Sequence, residues 1–287
     1  MSNVTVKMLG TGCPRPEIDR AGPAQVLLIE NLPILIDCGE GTTAQLMKAG
    51  IAPEEVKHLY FTHLHSDHTM GYTQFLFAGW ELGRRELTVV GPKGLKKYHD
   101  TIVGMFEEDI DYRLSLGRPR NGLLDVNIIE LEGKGEVSCD IPAQVTAAQM
   151  DHSILTYAYR FDIQDTSVVI SGDTAPTNAL VELSKDADIL VHDCCLAPTK
   201  LYTAEERERN PERQALWKRI NETHCTPAQA AETARQANVK QLVLTHFLPD
   251  IDVQKTYEEA AEVFSGKVIV PYDLEVITAK NLSGALT

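Results

Sequence analysis

The sequence predicts an α/β protein built as one domain over residues 1–287. Three observations carry that reading. Short apolar runs rich in β-branched residues alternate with longer amphipathic ones along the whole chain. Several of the short runs stop abruptly at histidine or aspartate, which is how open α/β folds bring polar groups to one edge of a sheet. No Pro/Gly/Ser-rich tract, low-complexity segment, charge block or short-period repeat interrupts the alternation, and 287 residues are enough for one large core.

In chain order, Gly10-Thr11-Gly12 closes a first strand, and Ile34-Leu35-Ile36 delivers Asp37 ahead of Gly39-Glu40-Gly41-Thr42. Val56 to Thr62 is short, β-branched and aromatic, a strand that runs out at Thr62-His63-Leu64-His65-Ser66-Asp67-His68. The spacing of Met70, Tyr72, Phe75, Leu76 and Phe77 predicts the buried face of a helix whose N-cap is Ser66 or Asp67. Ser167-Val168-Val169-Ile170 is an apolar strand ending in Ser171-Gly172-Asp173-Thr174, where the glycine permits a tight turn. Ile189-Leu190-Val191 delivers His192 and Asp193. The charged segment Thr203 to Asn221, with Leu216, Trp217 and Ile220 interspersed, reads either as a lid-like excursion over the site or as an ordinary exposed helix. Thr226-Pro227-Ala228-Gln229 is a helix start, with threonine as N-cap, proline first and glutamine third. Gln241 to Thr245 is a last strand, ending in His246-Phe247.

Residues 63–68 hold three of the nine histidines and one aspartate. Neutral imidazoles and a carboxylate suit a borderline divalent ion such as zinc, and without a metal such a cluster would leave polar groups unpaired. Alternate positions of an extended segment point one way, so His63, His65 and Asp67 share a side, while His68 starts the turn and faces a second ion. Two ions need about seven ligands. Asp173 is a candidate to bridge them, and His246 is the matching ligand for the second. His58 and His99 stand alone and read as ordinary core or surface histidines.

A net charge of -14 argues against nucleic acid as the main partner, because such binding draws its affinity from neutralised phosphates. Arg84, Arg85, Lys93, Lys96 and Lys97 cluster locally and read as a solvated helix face. The first residues have no basic region followed by an apolar core, and nowhere do about 18 apolar residues run together, so a cytoplasmic protein without a membrane partner is expected. The six cysteines form no Cys-x-x-Cys pair and read as reduced thiols; Cys38, Cys194, Cys195 and Cys225, beside the motifs, read as small buried filler. The segment Thr203 to Asn221 also offers a contact for a homodimer.

Taken in order, Gly10-Thr11-Gly12, Asp37, His63-x-His65-x-Asp67-His68, Asp151-His152-Ser153, Ser171-Gly172-Asp173-Thr174 and Thr245-His246-Phe247 resemble the metallo-β-lactamase fold superfamily over nearly the whole chain. The resemblance implies a four-layer αββα sandwich. It implies that His63, His65 and His152 hold one ion, that Asp67, His68 and His246 hold the other, that Asp173 bridges, and that Asp37 orients a ligand imidazole. The ions would be two Zn2+, with Mn2+ or Fe2+ as alternatives. Gly91-Pro92-Lys93-Gly94, Phe106 to Ile110, Tyr159-Arg160, His192 and His224-Cys225-Thr226 are similar to the branch of ribonuclease Z and the zinc arylsulfatases, and Phe77 to Arg84 resembles the arylsulfatase group more closely. Two departures stand out. The stretch from His152 to Asp173 spans 21 positions (173 − 152), too short for the tRNA-gripping arm of ribonuclease Z relatives, and Asp193 stands where they carry a glutamate.

The chemistry implied is hydrolysis of a small anionic ester, an aryl sulfate or a phosphodiester, by a metal-bridging hydroxide. Asp67 would orient the nucleophile and take its proton, and His224 would donate a proton to the leaving group or clamp an anion. The alternatives are a ribonuclease Z-type tRNA 3′ endonuclease and a non-enzymatic, metal-containing metabolite sensor. A di-iron electron-transfer protein fits less well, because His65 stands where such proteins usually carry glutamate.

Overall fold

The computed structural model describes residues 4–200 and 211–279. Two seven-stranded sheets face each other, with helices outside both, among them α1 (Thr42–Lys48) and α6 (Asn178–Leu183). The first contains β1 (Val4–Gly10), the hairpin β2 (Ala24–Ile29) and β3 (Leu32–Ile36), β4 (His58–Tyr60), β5 (Thr88–Pro92) and β6 (Asn127–Leu131), with β14 (Val276–Thr278) outside β1. The second runs in spatial order from β13 (Lys267–Ile269) through β12 (Gln241–Thr245), β11 (Ile189–Asp193), β10 (Thr166–Ile170) and β9 (Tyr157–Ile163) to β8 (Gln144–Gln149) and β7 (Gly135–Val137). This is the αββα arrangement that the resemblance implied.

Period-two alternation within apolar runs builds the layers. In β10, Val168 and Ile170 face the other sheet while Val169 faces the helices; in β12, Val243 faces inward while Leu242 and Leu244 face out. Strands buried on both faces therefore read as continuous apolar runs. Tyr60, Tyr159 and Phe161 meet edge to face between the sheets, with Tyr60 5.3 Å from each of the other two rings. The Tyr159 hydroxyl donates to Phe61 O at 2.7 Å, tying the second sheet to the strand that leads into the histidine cluster.

The parallel pairs β3–β4–β5 and β10–β11–β12 point their C-terminal ends to one rim. Asp37, His63, Asp173, Asp193 and His246 all lie on or just after those ends. Asp37 (φ 56°) and His246 (φ 66°) adopt the left-handed conformation as the chain leaves β3 and β12. Aspartate and histidine tolerate that region better than most residues, yet it still costs about 1–3 kcal/mol, a strain typical of site residues.

The helix expected after the cluster is broken in two. A single turn, α2 (Ser66–Thr69), has His65 rather than Ser66 or Asp67 at its N-cap, and α3 (Tyr72–Leu82) restarts after Gly71. Tyr72, Phe75 and Leu76 are fully buried as predicted, Phe77 is half-buried, and Met70 in the break is exposed. The break has a steric cause. The Gly71 backbone crosses that of Gly39, donating its N–H to Cys38 O at 2.9 Å, and a Cβ on Gly71 would overlap Gly39 O. Gly71→Ala is therefore expected to cost at least about 1–3 kcal/mol, as overpacking does. Urea unfolding would read this as a lower midpoint, and an unchanged midpoint would show that the crossing is not tight.

The basic cluster also divides. Arg84 is 2% exposed and donates to the Leu76, Phe75 and Pro53 carbonyls, so it serves the end of α3 rather than a solvated face. Lys93, Lys96 and Lys97 are indeed exposed around the start of α4 (Leu95–Met105), which is followed by α5 (Glu107–Ser115). All six cysteines are free thiols. Among the described residues, no helix is long and apolar enough to cross a membrane.

Candidate metal centre

Three imidazoles meet at the rim: His63 Nε2 lies 3.0 Å from His65 Nδ1, which lies 3.3 Å from His152 Nε2. Beside them, Asp67 Oδ2 is 3.1 Å from His246 Nε2 and 3.5 Å from His68 Nε2. Asp173 stands between the two groups. Its Oδ2 is 3.6 Å from His63 Nε2 and 3.3 Å from His246 Nε2, and its Oδ1 is 3.3 Å from His68 Nε2. The structure thus gathers His63, His65, His152 and Asp173 in one potential ligand set and Asp67, His68 and His246 in another.

The spacing fits cations. Ligand atoms about 2.0–2.1 Å from a tetrahedral zinc stand roughly 3.3 Å apart. His68 Nε2 is buried with no hydrogen-bond partner, a donor atom aimed into the site. The charges agree. Burial pushes His63 well below the ordinary histidine range, and His65 and His152 are lowered for the same leading reason, so the three-histidine group stays neutral and ready to ligate. On the other side burial again disfavours charge, but the Asp173 and Asp37 carboxylates outweigh it and raise His68 to about 10. Burial raises the Asp173 carboxyl, but His246, His68 and His63 overcome this and hold it well below the carboxylate range. That half draws in positive charge.

Outer partners fix the rings of His63, His68, His152 and His224. Asp37 accepts a hydrogen bond from His68 Nδ1 at 2.9 Å, the orienting part foreseen for it. It also accepts from Thr62 Oγ1 at 2.9 Å, and that hydroxyl lies 3.0 Å from His63 Nδ1, so one carboxylate steadies a ring in each group. His152 Nδ1 donates to Thr223 O at 3.0 Å. Asp193 Oδ2 accepts from His224 Nδ1 at 2.9 Å, and Asp193 Oδ1 lies 3.5 Å from His246 Nδ1. The His224 ring stacks 5.3 Å from His246 and meets His152 edge-on at 5.0 Å. It therefore sits beside both ligand groups.

Not every flagged residue is here. Strand alternation turns His192 away to the helix side, fully buried, with Nδ1 against Asp193 O. His99 pairs with the Tyr72 hydroxyl at 2.8 Å, away from the cluster, and His58 is half-buried at the start of β4. Thr62 and Thr223 were missed: nothing in a local pattern marks a relay hydroxyl or a carbonyl that serves a ring far along the chain.

The chain belongs to the β-lactamase superfamily: the family model described as Beta-lactamase superfamily domain matches residues 33–247. It is 32% identical over 253 residues to a Ribonuclease Z of Mycobacterium sp. (strain KMS), covering 86% of this chain and 85% of that one. Two solved structures share the fold. The metallo-β-lactamase fold protein YhfI from Bacillus subtilis gives a TM-score of 0.76 at 18% identity, over 97% of this chain and 100% of that one. Human tRNase Z, short form, gives 0.69 at 24% identity, over 96% and 99%. The superfamily implies hydrolase chemistry with divalent metal, and the His/Asp groups are this chain's candidate ligands.

Proposed function

We propose that the protein is a two-metal hydrolase of a phosphodiester in an anionic substrate. The observation that carries this is the pair of ligand groups sharing Asp173, with the Asp193–His224 pair alongside. Zn2+ suits the imidazole-rich set, with Mn2+ or Fe2+ as alternatives. His63, His65 and His152 would hold one ion and Asp67, His68 and His246 the other. Two such ions, when bound, supply a nucleophile at neutral pH and stabilise charge on the transferring group.

The chain's own groups do the rest. Asp67, with Oδ2 turned to His246 and His68, takes the proton of the attacking water on its other oxygen. Asp193 anchors His224 through Nδ1, which leaves Nε2–H to protonate the leaving oxygen. Aspartate here reaches the histidine as a glutamate would, so the departure from the ribonuclease Z pattern leaves a histidine–carboxylate pair in place. Burial lowers the His224 imidazolium, but Asp193 by charge and hydrogen bond, with Asp173, outweighs it and the net shift is upward. A proton donor of raised pKa stays protonated above the ordinary histidine value of about 6.5. For a substrate with an alkoxide leaving group, which needs the proton, the alkaline limb of kcat/KM is accordingly expected above that value, and Asp193→Asn should move it down. A limb that stays put in Asp193→Asn would separate His224 from the proton transfer.

The Ribonuclease Z relatives favour a second reading, cleavage of RNA at a 3′ end. They weigh against the expectation that nucleic acid is not the main partner, and exposed Lys93, Lys96 and Lys97 offer phosphate contacts. Against it, only Gln164 and Asp165 join β9 to β10, so this stretch carries no arm, and the net charge is -14. The relatives also move weight from an aryl sulfate to a phosphodiester. The test is turnover by zinc- and manganese-loaded protein of p-nitrophenyl bis-phosphodiester, sulfate and monophosphate, and of a tRNA precursor with a 3′ trailer. Metal-dependent cleavage of the bis-phosphodiester is expected. Turnover of the sulfate alone would overturn the proposal, turnover of the precursor alone would establish the second reading, and none at all in metal-replete protein would leave the metabolite sensor.

A further inference from the structure

His152 takes its outer partner from a segment 71 residues further on, the Thr223 carbonyl. Thr223 ends the turn that closes α7 (Pro211–Asn221): its N–H donates to Ile220 O at 3.1 Å and its hydroxyl to Arg219 O at 3.1 Å. The position of that carbonyl therefore follows the position of α7. The helix turns most of its described side chains to solvent. Gln214, Ala215, Leu216, Lys218, Arg219 and Asn221 are exposed, whereas Trp217 and Ile220 are half-buried against a small apolar cluster of Cys13, Cys195 and Leu248. Those three residues lie just beyond the exits of β1, β11 and β12, with Cys195 two positions after Asp193 and Leu248 two after His246. The residue after Thr223 is His224, bound to Asp193.

We propose that Trp217 and Ile220 are positioning residues: by docking α7 on Cys13, Cys195 and Leu248 they hold the Thr223 carbonyl against His152, and so set the affinity of the three-histidine group for its ion. The inference rests on the reading of His63, His65 and His152 as ligands. A ring that loses the acceptor for its second nitrogen is free to rotate or change tautomer, and loss of such a partner typically lowers metal affinity about 10–100-fold. His224 rides on the same turn, so loading of that ion and placement of the proton donor are coupled. The part of the charged excursion that falls on 201–210 lies outside the described residues; among the described ones, Trp217 and Ile220 of α7 pack beside the rim.

Calorimetric Zn2+ titration of full-length variants tests this. In a His246→Ala background, which removes a ligand from the second group, the three-histidine site is read largely alone; in a His63→Ala background, the other site is. Adding Trp217→Ala to the first background is expected to weaken Zn2+ about 10-fold or more. Ile220→Ala should act in the same direction and more mildly, Trp217→Phe should restore binding, and in the second background, which Trp217 reaches only indirectly through His224 and Asp193, Trp217→Ala should cost several-fold less than in the first. Unchanged affinity in the first background, or equal loss in both, would overturn the proposal, the latter by showing general loosening. If Trp217→Ala fails to fold, Ile220→Ala carries the comparison. Failure of the metal reading itself looks different: the unsubstituted protein would take up no Zn2+ at all, before any change on α7.

Discussion

Replacing Asp173 with alanine is expected to strip the site of at least one ion and to abolish turnover. Asp173 is the group both ligand sets share, within 3.3–3.8 Å of His63, His68, His152 and His246. Its loss should exceed the about 10–100-fold drop in metal affinity typical of an outer-shell partner, because on the proposed reading Asp173 would face the ions directly. Asp173→Asn, which keeps the shape and one acceptor oxygen but not the charge, should fall between. Metal content after dialysis, read beside turnover of the same preparation, checks both halves. An Asp173→Ala protein that retained two ions would show that the two groups do not depend on a common carboxylate.

His224→Ala is expected to lower kcat by about 10²–10⁴-fold, the usual worth of a positioned general acid, while leaving metal content unchanged. The leaving group supplies the signature. A p-nitrophenolate departs without much help, so the loss should be small with it and large with an alkoxide such as a ribose or alkyl oxygen. A clamp on an anionic substrate would instead raise KM and show no dependence on the leaving group. Equal loss for both leaving groups would thus assign His224 to binding.

The parts of the fold and site that were legible in the sequence are those written locally. His63, His65, Asp67 and His68 lie on one strand exit, and Asp173, Asp193 and His246 each end an apolar run, so chain order alone brings them to a rim once the strands are parallel. The capping box at Thr226 and Gln229 is likewise local and forms as read. His152 is different. It follows β8 in an irregular stretch with no flanking pattern, and only the motif order of the superfamily pointed to it. The helix break at Gly71 depends on Gly39, far back in the chain, and Arg84 is buried by carbonyls that only the folded α3 presents. Thr223 contributes a backbone oxygen, which carries no side-chain signature at all. Contacts of this kind arise from tertiary crossing, and local spacing carries no trace of them.

On the proposed two-metal reading, phosphodiester cleavage needs both ligand groups filled. The most direct test is turnover of the bis-p-nitrophenyl phosphodiester by metal-stripped protein, measured as Zn2+ is added back in known equivalents. Activity should rise to a plateau at two equivalents per chain. A plateau at one, or no turnover with two shown to be bound, would contradict it.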